Sequence, residues 1–96
     1  MKAKAGLAWI NSADYSELIS VSADGNMLPK THDEWLEDAE ETECRAKARG
    51  VRVIRILIKP HAFMKWCKTK NLRPDARARR RYARHGALLG HPPTSQ

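Results

Sequence analysis

"THDEWLEDAEETECRAKARGVRVIRILIK", residues 31–59, decides how the chain is organised. Thr31 and Glu34 form a T-x-x-E capping box, in which side chains satisfy orphan N–H groups at a helix start. Asp33, Glu34, Glu37 and Asp38 crowd the early turns, and Arg45, Lys47 and Arg49 the last, an order that complements the helix dipole. Trp35, Ala39, Thr42 and Ala46 recur at helical spacing and make one packing stripe, which Leu36 widens. Gly50 stands where a C′ glycine belongs. The spacing predicts a helix over 32–49.

"VRVIRILIK" then reads as a strand. Ile54, Ile56 and Ile58 share one face with Arg52, and Val51, Val53 and Leu57 share the other with Arg55. Both faces are mostly apolar, as in a covered central strand. A strand before the helix would complete a βαβ crossover. "GLAWIN" supplies a short candidate. "ELISVSADGNMLPK" adds β-friendly Leu18, Ile19 and Val21 around an Asp24-Gly25 turn signal. It predicts an N-terminal β-hairpin whose return strand ends at Pro29.

Downstream, Pro60 suits the first position of a helix. Phe63, Trp66 and Cys67 at i, i+3 and i+4 give that helix a buried face, and Asn71 terminates it. Pro74 and Asp75 open a last helix, which Gly86 ends. The expectation is a single α+β domain over residues 1–86: a hairpin, a long capped helix, a central strand and two short C-terminal helices. Residues 87–96, with two prolines, read as a flexible C-terminal tail.

The 96 residues carry a net charge of +7, unevenly placed. Residues 1–43 hold three lysines against ten carboxylates, net −7, and residues 44–96 hold fifteen Lys and Arg against one Asp, net +14. A chain this long buries roughly 60–65% of its unfolded surface, so it supports one modest core. The two cysteines, Cys44 and Cys67, have no metal-ligand spacing and read as free thiols of a reducing compartment. "AGLAWI" is too short for a signal-peptide core, and no stretch approaches the ~20 apolar residues of a membrane span. A cytoplasmic location is the expectation.

The C-terminal charge has a pattern. At about 100° per residue, Arg77, Arg80, Arg81 and Arg84 fall on one face of the last helix. Arg79 falls on the packing side with Tyr82 and Ala83. It must bury its stem and snorkel, or pair with an acidic group inside. Four guanidiniums on one face repel, so an anion must offset them. That anion is either a phosphate backbone, which the arginine fork suits, or the acidic helix, whose outer positions include Glu37, Glu40, Glu41 and Glu43. The excess of +7, which internal pairing cannot consume, favours an external anion. Lys65, Lys68 and Lys70 on the preceding helix, with Arg73 between the two, would extend the basic surface.

The helix pair joined by Asn71-Leu72-Arg73-Pro74 resembles a helix-turn-helix in outline. The turn lacks a glycine and the second helix has few small polar residues, so backbone contact is expected rather than sequence readout. Trp66 and Tyr82 are stacking platforms for bases on one reading and core residues on the other. His32, His61, His85 and His91 show no ligand spacing, so neither metal nor cofactor is implied. The acidic run reads as a solvated helix face. Nothing points to an enzyme beyond the general presence of Cys and His. The leading expectation is a small basic, non-enzymatic nucleic-acid-binding protein. The alternative is a protein–protein adaptor or inhibitor of small bacterial or mobile-element type, docking a charged face on an acidic partner. A small sheet also leaves edges that a second copy would cover, which makes a homodimer one expected arrangement.

Overall fold

The 52–57 segment forms a strand as read, with a single partner among the described residues. In the computed structural model, which describes residues 3–89, β2 (Arg52–Leu57) pairs in parallel with β1 (Lys4–Trp9). Between them run α1 (Ser12–Val21), a 3-10 turn (Gly25–Met27) and α2 (His32–Ala48). After them come α3 (Pro60–Lys70) and α4 (Ala76–Leu88). The result is the expected α+β class, with a βαβ connection.

The predicted hairpin is not there. "SADYSELISV" is α1, and the Asp24-Gly25 turn opens a 3-10 turn rather than a return strand. Tyr15 and Leu18 are buried and Ile19 is half-buried, an i, i+3, i+4 set that fits a helix. The β-branched residues at 19 and 21 outweighed that set in the reading. β2 is likewise not central, because the sheet has two strands among the described residues. Its two apolar faces are explained by helices on both sides.

Those two sides can be assigned from side-chain alternation along a strand. Gly6 faces α4 so closely that a Cβ there would collide with the Ala83 carbonyl. Gly86 of α4 lies over Ile56 of β2, where a Cβ would come within 2.9 Å of Ile56 Cγ2. Trp9 and Arg55 point the other way. Trp9 meets Trp35 of α2 edge-on with ring centroids 5.4 Å apart, and Arg55 pairs with Glu43 of α2. The acidic helix and the arginine helix thus cover opposite faces of one sheet.

Gly86 was read as the helix stop, yet α4 continues through it to Leu88. The glycine serves close packing against Ile56 rather than termination. Ala87, placed in the expected tail, is buried as part of α4. Residues 90–96 of that tail lie outside the described residues.

Ile10, Tyr15, Leu18, Ile58, Phe63, Cys67 and Ala78 form the main core cluster, drawing on α1, β2's end, α3 and α4. Each large apolar side chain sealed there contributes about 1.5–3 kcal/mol. The capping signals hold. Thr31 accepts a hydrogen bond from the Glu34 N–H at 3.2 Å, and Asp75 accepts one from the Ala78 N–H at 3.0 Å. Asn71 caps α3 in the left-handed conformation at φ 57°, the role glycine more often takes.

Candidate nucleic-acid interface

Asp75 fixes the start of α4 and with it the phase of every arginine that follows. Arg79 turns inward and is 6% exposed. Its guanidinium donates to Asp24 as a two-pronged fork, Nη1 to Oδ1 at 3.0 Å and Nη2 to Oδ2 at 2.7 Å. These bonds hold the Asp24 carboxyl below the ordinary carboxylate range, against the opposing effect of burial. The pair ties α4 to the 3-10 turn after α1.

Arg77, Arg80, Arg81 and Arg84 are all exposed. None of the four makes an ion pair among the described residues. Asp75 shares a recess with Arg77 and Arg81 without pairing to them, and the carboxylates expected to cover the stripe lie on α2, on the far side of the sheet. Glu37, Glu40 and Glu41 are exposed there. Glu43, read as an outer position, is 8% exposed and faces the sheet. It accepts from Arg55 Nε and Nη2, each at 2.8 Å. Arg55 in turn stacks over the Trp9 ring at 3.9 Å. Hydrogen bonds from Arg55 hold the Glu43 carboxyl low despite its burial.

The stripe lines two recesses, and a third lies clear of it. Arg77, Arg81 and Arg73 line one of about 390 Å³ beside Asn71 and Leu72, so the structure joins Arg73 to the stripe. Arg80 and Arg84 line a groove of about 450 Å³ along β1. A third recess of about 410 Å³ opens between α3 and α4, with Lys65, Trp66, Tyr82 and His85 on its wall. Lys68 lines a separate hollow with His61, Met64 and Lys65. Lys70 is exposed in the last turn of α3, where a cation suits the dipole. Of the expected basic residues, Arg73 and the four arginines of α4 therefore form one continuous set. Lys65, Lys68 and Lys70 lie on α3 and line none of the recesses that these arginines line.

Trp66 and Tyr82 are half-buried and pack edge-on, with centroids 5.1 Å apart, beside Phe63. They are largely structural, with one side toward the α3–α4 recess. The Trp66 indole N–H has no hydrogen-bond acceptor among the described residues. Both cysteines are free, Cys44 exposed and Cys67 buried. Burial pushes the Cys67 thiol up, toward its unreactive protonated form. Among the described residues, no group of three His, Cys, Asp or Glu side chains is placed to hold a metal ion. Nor is any described helix long and apolar enough to cross a membrane.

Two features escaped the sequence reading. One is the partner of Arg79, whose odd phase on the helical wheel left snorkelling and an internal acidic partner as alternatives. The other is the approach of Arg80 and Arg84 to β1, which no periodicity in α4 encodes. No protein-family model, curated protein or solved structure matches this chain.

Proposed function

We propose that the protein is a small, non-enzymatic nucleic-acid-binding protein that grips backbone phosphates through α4. Arg77, Arg80, Arg81 and Arg84 carry the contact, Arg73 extends it, and Lys65, Lys68 and Lys70 add charge from α3. The observation that carries this reading is the exposed arginine stripe, which makes no ion pair among the described residues and is set on the sheet face opposite the acidic helix. A guanidinium that meets a phosphate displaces a condensed counterion, and that release drives binding. The acidic α2 face repels the same polyanion, so it orients the molecule with α4 inward. α4 has few of the small polar side chains that read base edges, so backbone contact rather than sequence readout is proposed. The two free thiols suit a reducing, cytoplasmic setting.

Four phosphate contacts give a slope of log affinity against log salt of about −3.6, so raising salt from 50 to 200 mM weakens binding by about two orders of magnitude. Fluorescence anisotropy with labelled single- and double-stranded DNA and RNA measures this. Absence of binding to all four at 50 mM salt overturns the proposal.

The second reading, a protein–protein adaptor or inhibitor, draws on the same charge separation. A molecule with an acidic face and a basic face can dock charge-complementary proteins on either side. Recovery of one stoichiometric, nuclease-insensitive partner would favour it over phosphate binding.

A further inference from the structure

The groove beside β1 has chemistry that phosphate binding does not use. Among the described residues β1 pairs with β2 alone, and no described strand takes its other edge. The carbonyls of Ala3 and Trp9 accept from Arg52 N–H at 2.8 Å and Ile58 N–H at 2.7 Å, both across the β1–β2 seam. In a parallel ladder, alternate residues turn both main-chain groups to the same side. The odd-numbered residues of β1 therefore serve β2, and Lys4, Gly6 and Ala8 turn their N–H and C=O groups outward. This row forms one wall of the groove, with Arg80, Arg84, Ala87 and Leu88 opposite. β1 has no proline, and Lys4 is its only charged residue, so little blunts the edge. The residues at its centre, Ala5, Gly6 and Ala8, are small and leave room.

We propose that this edge accepts an extended acidic peptide segment of a partner protein as a third strand. The segment's main chain pairs with Lys4, Gly6 and Ala8, and its carboxylates meet Arg80 and Arg84. Outward N–H and C=O groups alternate along β1 at the spacing that another extended peptide backbone answers in register. A phosphodiester offers acceptors but no donors for the carbonyls. Four helical residues rise ~6 Å, close to the ~6.6–6.8 Å between alternate strand residues. Acidic residues at every second position thus match the two guanidiniums. The exposed Leu88 takes an apolar side chain at one end of the groove. A second copy fits worse. Two-fold pairing of β1 with β1 puts both α4 helices on the same face and sets Arg80 and Arg84 against their counterparts. The recognition mode is strand addition at a sheet edge; it shares Arg80 and Arg84 with the phosphate-binding reading but does not rest on it.

The test titrates the full chain with a labelled ten-residue peptide of alternating Glu and Val, followed by anisotropy. Two controls are the same peptide N-methylated at its six central residues, which keeps the charge and removes the main-chain donors, and an alternating Lys–Val peptide. The expected result is binding of the Glu–Val peptide and no binding of the Lys–Val peptide. N-methylation, and separately the Arg80→Glu/Arg84→Glu variant, each weaken binding at least about tenfold. Equal binding of the methylated peptide reduces the contact to charge alone and overturns the proposal. So does failure of the Glu–Val peptide, or a stable dimer in sedimentation that Ala8→Glu on β1 dissolves. Duplex DNA measured in parallel separates the readings: DNA binding without peptide binding sinks only the strand-addition inference.

Discussion

α2 and α4 solve the same problem with opposite charges. Each turns one charged residue into its packing side and matches it across elements, Glu43 with Arg55 and Arg79 with Asp24. They differ in what remains outside. α2 places Arg45 and Lys47 after its carboxylates, and Glu41 lies 3.9 Å from Arg45 one turn on. α4 has no acidic residue after its capping Asp75. One helix tempers its own field, and the other leaves it open to solvent. Because the sheet lies between them, neither neutralises the other. Buried pairs determine how the fold is locked, and the leftover charge determines what it can attract.

Breaking the buried side of this comparison has the largest effect. Asp24→Ala leaves the Arg79 guanidinium buried and unpaired. The expected loss is about 3–5 kcal/mol, read from urea unfolding, with DNA binding retained by the molecules that remain folded. Breaking the open side comes next. The variant Arg77→Gln/Arg80→Gln/Arg81→Gln/Arg84→Gln loses about two orders of magnitude or more in affinity for duplex DNA at low salt, while Glu37→Gln/Glu40→Gln/Glu41→Gln loses none.

Glu43→Ala is milder than Asp24→Ala, at about 1 kcal/mol. The Arg55 side chain is 49% exposed and can turn to water, whereas that of Arg79 is only 7% exposed. Acid should reveal both pairs. Asp24 and Glu43 are held below their ordinary values in the folded state. Their stabilisation is complete above the unfolded carboxylate pKa of about 4 and is lost as pH falls through the lower folded values. Unfolding free energy measured from pH 6 to pH 2 should decline over that window, and less so in Glu43→Ala. The smallest effect has the opposite sign. Removing the like-charge neighbours Arg77–Arg81 and Arg80–Arg84 should stabilise the four-Gln variant by ~0.5 kcal/mol.

Much of this was legible. The Thr31 box, Pro60, Asn71 and Asp75 are local signals, and each helix they mark is present. The arginine stripe was legible too, because helical phase depends only on spacing. What failed was non-local. Leu18, Ile19 and Val21 suit a strand by residue type, but α1 forms because Tyr15 and Leu18 share one buried face. Gly86 looks like a helix stop, and only the nearness of Ile56 explains it inside α4. Glu43 looks like one more solvated carboxylate until Arg55 is placed beneath it. Whether the acidic helix covers the arginines depended on which sheet face each helix takes, and periodicity does not carry that information.

The salt dependence of duplex DNA binding tests the central claim most directly. Each arginine on a phosphate contributes about −0.9 to the slope of log affinity against log salt. Comparing the native chain with Arg77→Gln/Arg81→Gln should show the slope flattened by about 1.8, with the fold intact by circular dichroism. An unchanged slope would mean that the stripe faces solvent without meeting phosphates, and would contradict the account.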